Sequence, residues 1–241
     1  MQTNQNIAAD KNPATSPDTI NQASGHDQID AVNGSSTLSG FSLWQKVVKR
    51  FLDVTLSLFT LIITAPLSLI ITLLIKMSDF GPVLYRQERI GLKGKPFFLL
   101  KFRTMIDGAE PDGPQLSGTA DPRVTWLGRF MRHHKIDEIP NFINVLKGEM
   151  SIVGPRPERQ FYIDKLRARN RKTDMLFTMK PGITCYGQVI YGYASDIDSM
   201  AERLKHELSY ISEPSLRADF KIMGQTILLL VRGRKNITTS L

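Results

Sequence analysis

The stretch that decides the fold is VTLSLFTLIITAPLSLIITLLI, residues Val54 to Ile75, in which no side chain is charged. As a helix, these residues would extend about 33 Å, enough to cross the hydrocarbon core of a bilayer. In the middle, Pro66 of the Ala65-Pro66 pair lacks a backbone N–H, and its ring clashes with the preceding turn. The stretch therefore predicts a membrane-embedded helix that is broken at Ala65 and Pro66 into two shorter halves.

Basic residues stand on both sides of this apolar stretch. They are Lys46, Lys49 and Arg50 before it and Lys76, Arg86 and Arg89 after it. Because basic residues favour the cytoplasmic side, both ends are predicted to be cytoplasmic. A re-entrant helix that bends at Pro66 and returns to the same face satisfies both length and charge. A single-pass helix with a tolerated proline is the alternative that the sequence leaves open.

The remaining composition divides the chain into four parts. Residues 1–42 are polar and lack apolar periodicity, which predicts a disordered tail that is neither a signal nor a transit peptide. Residues 43–77 are assigned to the membrane helix with its basic flank, residues 78–236 to a cytoplasmic domain, and residues 237–241 to a short tail. The single cysteine, Cys185, cannot form an internal disulfide, so the fold suits a reducing compartment.

The cytoplasmic domain is predicted to have an α+β fold that is mainly helical. Apolar runs at Val83–Tyr85 and Phe97–Phe102 predict a short β-hairpin, and the Gly- and Pro-rich Asp107–Asp121 predicts a loop. Helical periodicity recurs from Val124 to about Lys147 with an interruption at Pro140, at Met200, Leu204, Leu208 and Ile211, and from Phe220 to Val231. The last of these helices is too short to cross a membrane, so it is expected at the interface or in the core.

Two groups of polar residues point to chemistry. Asp137 and Glu138 are adjacent in a basic segment, and on a helix their side chains would point about 100° apart. One carboxylate could then attack a substrate or hold a divalent cation while the other assists. An acidic pair in the first turn of a helix, favoured there by the helix dipole, accounts for the same residues without chemistry.

The second group places Arg156 between Pro155 and Pro157, followed by Glu158. A guanidinium on so stiff a backbone is preorganised to bind a phosphate or carboxylate through two hydrogen bonds. A rigid turn in which Arg156 pairs with Glu158 is the alternative. The formal charge of +8 indicates an anionic partner, which could be nucleic acid, an anionic membrane surface or a phosphorylated substrate.

Nine motifs in order resemble the bacterial sugar transferases, the monotopic polyprenyl-phosphate phosphoglycosyltransferases. The resemblance runs from about Lys46 to Arg234, and Ile190 to Tyr193 is closest to the exosortase-associated branch of exopolysaccharide enzymes. The motifs are Lys49 to Asp53, the helix interrupted at Pro66, Gly81 to Val83 with Arg86-Gln87, Lys101 to Met105, Asp121 to Val124, Asp137 to Pro140, Asn144 to Ser151, Val153 to Glu158, and Lys180 to Thr184.

The resemblance implies a catalytic unit without the additional membrane helices and nucleotide-fold domain of larger members. Asp137 would attack the β-phosphorus of a UDP-sugar, UMP would leave, and undecaprenyl phosphate or another polyprenyl phosphate would take the sugar phosphate from the aspartyl intermediate. Glu138 is the implied partner carboxylate, and Mg²⁺ or Mn²⁺ held at Asp137 is the implied cofactor. The implied substrate- and phosphate-binding residues are Lys101, Arg103, Arg132, Arg156 and Glu158.

This activity would be the first membrane step of exopolysaccharide, O-antigen or related glycan synthesis. The implied location is the bacterial cytoplasmic (inner) membrane with the catalytic domain facing the cytoplasm, and the implied partners are the lipid bilayer and downstream glycosyltransferases. Two alternatives remain open, namely a catalytically inert scaffold of a polysaccharide assembly complex and a membrane-anchored nucleic-acid-binding module. The chain lacks the interleaved aromatic residues of single-strand binders, so no nucleic acid partner is expected.

Overall fold

The computed structural model describes residues 40–79, 81–110, 113–116 and 121–232. The predicted tail lies outside this part of the chain except for residues 40–42, the tail at 237–241 lies outside it entirely, and so does part of the predicted loop. Phe41 falls inside the segment predicted as a tail, yet its ring is buried in a core cluster with Val153 and Ile211. The ordered domain therefore starts before the apolar helix.

The described elements are mainly helices, with two small pairs of strands. In chain order they are α1 Leu43–Asp79, β1 Leu84–Ile90, β2 Pro96–Phe102, α2 Trp126–His133, α3 Asn141–Lys147, β3 Ser151–Val153, α4 Gln160–Arg169, β4 Gly182–Thr184, α5 Tyr186–Ile190, α6 Ile197–Ser212 and α7 Leu216–Arg232. Short 3₁₀ segments lie at Leu92–Gly94, Ile136–Glu138 and Arg171–Thr178. A mainly helical fold with a short hairpin is confirmed.

The helix α1 is continuous through Pro66. The predicted division into two halves is not confirmed, because the loss of one N–H leaves the hydrogen bonds of both flanking segments in place. The Thr64 hydroxyl donates to the Thr60 carbonyl at 2.7 Å, one of the backbone contacts available to hydroxyls in such helices. Among the described residues, α1 is the helix that by length and composition could cross a membrane, and 11% of its apolar window is buried.

Both ends of α1 pack on the same domain. Near its start, Lys49 Nζ pairs with Asp219 Oδ2 of α7 at 2.6 Å and donates to the Val153 carbonyl of β3 at 2.9 Å. Near its other end, Ile71 and Ile75 are each 2% exposed. Their cluster includes Phe102 of β2, Met131 of α2 and Ile139. One stripe of α1 thus contacts the domain, while many apolar side chains on its other faces are exposed.

The basic flank before the apolar stretch binds backbone carbonyls. Arg50 donates to the carbonyls of Val145 and Leu146 at 2.7 and 2.9 Å, which satisfies acceptors at the end of α3. Asp53 accepts the Ile152 N–H of β3 at 3.0 Å. These contacts join the start of the helix to two motif segments about 100 residues away.

The two strand pairs bring distant motifs together. β1 and β2 form the predicted antiparallel hairpin, with Leu84 opposite Phe102. β3 pairs in parallel with β4, and a Cβ atom at Gly182 would collide with the Gly154 backbone. Glycine at both positions therefore permits the close approach of the segment with Arg156 to the Lys180–Thr184 motif.

The predicted helical regions are present with altered bounds. The region from Val124 to Lys147 is α2, the 3₁₀ turn and α3 rather than one helix, with Pro140 immediately before α3. In α6, the predicted apolar face is buried at Met200, Leu204 and Ile211 and partly buried at Leu208. In α7, Ile222 is buried whereas Phe220, Ile227, Leu230 and Val231 are exposed. One face of α7 therefore packs on the core, and an apolar face is left uncovered.

Candidate active site

Asp137 and Glu138 lie in the 3₁₀ turn between α2 and α3. The isoleucines on either side of the acidic pair pack in one cluster with Ile71 and Ile75 of α1. The turn is entered through Lys135, whose φ of 59° is left-handed and which makes a sharp change of direction after α2. Packing against α1 therefore fixes the position of both carboxylates.

Asp137 is 7% exposed, and its Oδ1 has no hydrogen-bond partner among the described residues. Burial and the neighbouring Glu138 raise the pKa of Asp137, and the cations Lys101, Lys135 and Arg132 oppose that rise. A buried carboxylate oxygen without a partner is energetically costly unless a ligand completes it. Asp137 Oδ1 is therefore a candidate reactive or ligating atom.

Glu138 is held more firmly than Asp137. Its Oε1 pairs with Lys101 Nζ of β2 at 3.0 Å. Burial opposes its ionisation, but Lys101, Lys135 and Arg156 together lower the pKa of Glu138. The pKa values of the two adjacent carboxylates are thus shifted in opposite directions. This pattern is typical of paired catalytic acids.

A cleft opens beside the acidic pair and is lined with cations. Its lining residues are Arg89, Leu99, Lys101, Glu138, Asn141, Met150, Arg156, Pro157, Gly182 and Ile183. Arg156 Nη1 donates to Gln188 Oε1 of α5 at 2.6 Å, which orients the guanidinium fork. A cleft with Lys101 and Arg156 beside carboxylates can bind a phosphorylated ligand.

Two further cations lie close to the acidic pair. Arg132 of α2 donates from Nε to Thr104 Oγ1 at 2.9 Å, and its charge acts on Asp137. The Lys135 ammonium contacts the Tyr193 hydroxyl and lies 4.5 Å from the centre of that ring. Both residues increase the positive potential where a phosphate would approach Asp137.

The remaining predicted site residues lie elsewhere. Arg103 is buried against Gly81, at the end of α1, and is not one of the cleft-lining residues. Ala65 and Pro66 are exposed in the middle of α1. Glu158 is buried behind Arg156, where it accepts a hydrogen bond from Arg203 Nη2 at 2.5 Å. A carboxylate there holds arginine side chains and repels phosphate.

Sequence reasoning missed several residues of this region. Gln188 lies four residues after the Lys180–Thr184 motif, so its position carried a weak signal. Lys135 lies two residues before Asp137, but its contact with Tyr193 joins positions that are 58 residues apart. Asn141 follows the acidic pair by one helical turn and resembles an ordinary helix residue. Arg203 lies in a helix with a regular apolar face, where a charged side chain suggests a solvated position.

The donor atoms at the acidic pair fit a magnesium ion shared with a substrate. The described residues contain no group of three or more His, Cys, Asp or Glu side chains that could hold a metal alone. Mg²⁺ usually binds one or two protein oxygens and completes its shell with water and substrate phosphates. Asp137 Oδ1 and Asn141 Oδ1 are both buried, and neither has a hydrogen-bond partner among the residues that the structure describes. They are oxygens of the required type.

A cationic cleft lies beside the buried acidic pair, and a long apolar helix packs against the turn that carries the pair. The bacterial sugar transferase profile matches residues 44–233, and the chain belongs to that family. This result confirms the resemblance found in the sequence.

Three relatives show how this chain compares with larger proteins. It is 36% identical over 186 residues to the UDP-N-acetylgalactosamine-undecaprenyl-phosphate N-acetylgalactosaminephosphotransferase of Aeromonas hydrophila, covering 77% of this chain and 44% of that protein. It is also 36% identical to the UDP-glucose:undecaprenyl-phosphate glucose-1-phosphate transferase of Escherichia coli K12. That match covers 84% of this chain and 45% of that protein. It is 39% identical to the UDP-glucose:undecaprenyl-phosphate glucose-1-phosphate transferase of Caulobacter vibrioides. That match covers 74% of this chain and 68% of that protein. The chain therefore spans less than half of the first two relatives.

Proposed function

We propose that this chain transfers a sugar-1-phosphate from a UDP-sugar to undecaprenyl phosphate or another polyprenyl phosphate. The observation that carries the proposal is the buried Asp137 Oδ1, which has no hydrogen-bond partner within the described part of the chain and lies beside Glu138 and the cationic cleft. The names of the relatives support the same reaction class, because each names an undecaprenyl-phosphate sugar phosphotransferase. A catalytically inert scaffold would not require a buried carboxylate poised beside a phosphate-binding cleft.

The proposed reaction proceeds in two displacements at one phosphorus. Asp137 Oδ1 attacks the β-phosphorus of the UDP-sugar, a P–O bond forms, and the bond to UMP breaks. A polyprenyl phosphate oxygen then attacks the same phosphorus and releases the Asp137 carboxylate. Lys101 and Arg156 stabilise negative charge on the transferring phosphate, and ionised Glu138 keeps Asp137 basic. A bound Mg²⁺ would screen the charge between the carboxylate and the diphosphate.

The proposed topology is re-entrant, with both ends of α1 on the cytoplasmic face of the inner membrane. Lys49 at one end and Ile75 at the other both contact the same domain. A polar domain cannot lie on both sides of a hydrocarbon core about 30 Å thick, so its two contacts with α1 favour one face. The exposed apolar faces of α1 and α7 would contact lipid. This arrangement places Asp137 near the phosphate of the lipid substrate.

The proposed activity belongs to the start of exopolysaccharide, O-antigen or related glycan synthesis, followed by downstream glycosyltransferases. A nucleic-acid-binding role is less well supported. Arg167 pairs with Asp164 and Asp174, and Arg169 pairs with Asp198, so much of that basic run is already neutralised.

Asp137→Asn should abolish transfer of radiolabel from a UDP-sugar to undecaprenyl phosphate, because an amide is a poor nucleophile. Glu138→Gln should reduce transfer strongly, because it removes the charge that Lys101 binds. The measurement is chromatography of the labelled lipid product from purified enzyme in detergent. Asp164→Asn, at a carboxylate that is 58% exposed, is the matched control and should retain wild-type transfer. Wild-type transfer by Asp137→Asn would exclude the aspartyl intermediate.

Removal of divalent cations should also stop the reaction. Excess EDTA should reduce transfer to background, and added Mg²⁺ should restore it, because the cleft supplies few protein oxygens for a metal on its own. Mn²⁺ is expected to substitute for Mg²⁺. The same assay with EDTA that is already saturated with Ca²⁺ is the control. It separates chelation of the active ion from other effects of EDTA. Full transfer in excess chelator would remove the metal from the mechanism.

A further inference from the structure

A cluster of buried charges adjoins the cleft, and the proposed chemistry uses Arg156 but not the other members of the cluster. We call Arg89, Arg156, Glu158 and Arg203 the arginine–glutamate cluster. Glu158 is at its centre. Its Oε1 lies 2.5 Å from Arg203 Nη2 and 3.9 Å from Arg156 Nε, and its Oε2 lies 3.7 Å from Arg89 Nη1. One carboxylate is therefore shared among three guanidinium groups.

The closest pair in the cluster is also the most buried. Arg203 is 5% exposed and Glu158 is 6% exposed, and the two residues are 45 positions apart in the chain. Burying such a pair costs desolvation free energy, and apolar residues of similar size often stabilise a protein as well or better. The presence of this pair therefore needs an explanation other than a contribution to folding stability.

The geometry around Glu158 Oε1 supplies that explanation. Arg203 and Arg156 approach the same oxygen, and Arg203 is by far the nearer. With Oε1 held by Arg203, Glu158 stays too far from Arg156 for a short ion pair. Arg156 then directs Nη1 to Gln188 and keeps its fork in the cleft.

The helix that carries Arg203 also fixes the other contact of Arg156. Glu207, one turn further along α6, is 2% exposed and faces Gly187 of α5. A Cβ atom on Gly187 would lie 2.8 Å from both Glu207 Oε1 and the Arg203 carbonyl, so α5 and α6 are in close contact. Gln188 is the next residue of α5. The position of α6 therefore fixes both Glu158 Oε1, through Arg203, and Gln188 Oε1, through α5. These are the two oxygens that orient Arg156.

We infer that Arg203 is a positioning residue for Arg156 and acts through Glu158. This inference rests on the proposed function, in which Arg156 binds a phosphate of the UDP-sugar. Without the Arg203 fork, Glu158 Oε1 is free to form a short pair with Arg156, which neutralises that guanidinium and draws it away from the cleft. Arg203 does not contact the reacting atoms in this scheme.

The test is a double-mutant cycle on kcat/KM for the UDP-sugar, with Arg203→Lys, Arg156→Lys and the double variant. Arg203→Lys keeps the charge but loses the fork, and about a tenfold loss is expected. If Arg203 acts through Arg156, the double variant should be no worse than Arg156→Lys alone, within about a factor of two. A purely structural role makes the two losses multiply, and that result would overturn the inference. Full activity of Arg203→Lys would overturn it as well.

Two additions keep the result clear. Lys205→Met, at an exposed position of the same helix, is the control and should leave kcat/KM unchanged. If Arg203→Lys does not fold, Arg203→Gln replaces it in the cycle, because the amide can still donate to Glu158 Oε1 but lacks the guanidinium fork and its charge. The same lack of additivity is then expected, and multiplying losses would again overturn the inference.

A binding measurement separates this inference from the proposed function. Calorimetric titration with UDP should show weaker binding to Arg203→Lys than to the wild type, and the double variant should bind UDP as well as Arg156→Lys alone. If the wild type binds UDP but transfers no sugar phosphate, the proposed function fails while the titration still tests Arg203. Equal UDP affinity in wild type and Arg203→Lys would contradict the positioning role.

Discussion

At the scale of single residues, Arg156 depends on shape as much as on charge. Arg156 lies between Pro155 and Pro157 in the sequence, and its guanidinium donates a hydrogen bond to Gln188. Arg156→Lys replaces a planar fork with a point charge, so kcat/KM should fall at least about tenfold, or about 1.4 kcal/mol of transition-state stabilisation. Steady-state kinetics of Arg156→Lys and Arg156→Ala measures this fall. Charge alone would be sufficient if Arg156→Lys were fully active while Arg156→Ala lost activity.

Glu207 makes a prediction about pH. Burial is the largest effect on this carboxyl, and despite the nearby Arg203 the pKa of Glu207 is raised to about 7. Cys185 and Glu158 also face it. Because the folded state binds the proton more tightly, the stability associated with this group is fully present below the ordinary carboxyl pKa. It is lost as the pH rises towards 7.

Glu207→Gln should therefore raise the unfolding temperature at pH 8 relative to the wild type and have little effect at pH 4.5. The amide avoids the desolvation of a buried anion at the higher pH. Thermal unfolding in detergent at the two pH values measures the difference. Glu202→Gln, at an exposed carboxylate on the same helix, should change neither value. An equal shift at both pH values would show that packing, and not ionisation, dominates at Glu207.

At the scale of elements, the topology of α1 can be tested with cysteine labelling. In a Cys185→Ser background, cysteines at Gln45 and Ser78 should both be protected from an impermeant maleimide in intact cells and both react after lysis. The reason is that both ends of α1 pack on one domain. Labelling at Gln45 but not at Ser78 in intact cells would mean that the helix spans the bilayer.

Local patterns predicted some elements better than others. The hairpin and the apolar face of α6 depend on neighbouring residues, and they were predicted from apolar runs and from helical spacing, although β1 extends to Ile90, beyond the predicted Val83–Tyr85. Pro66 was expected to break the helix, but a proline removes one hydrogen bond and a long helix can continue through it. The split of residues 124–147 at Lys135 could not be predicted, because nothing in the local sequence marks a left-handed residue there.

At the scale of the whole molecule, motif order predicted the family and the residues that approach the cleft from separate segments. Lys101, Glu138 and Arg156 come from three of these motifs and line one cleft. The role of Glu158 depends on Arg203, which is 45 residues away. Only the folded chain brings them together, so a single sequence offered no signal for it.

The salt bridge between Lys49 and Asp219 has a consequence for how the protein is made. The two residues are separated by 170 positions, so the apolar helix leaves the ribosome long before its acidic partner exists. On the proposed re-entrant topology, lipid or an insertion factor covers the helix during that interval. Docking can finish only when α7 has emerged, so a chain truncated before Asp219 would retain an inserted helix with an incomplete domain. Such a fragment should be a preferred substrate for membrane proteases.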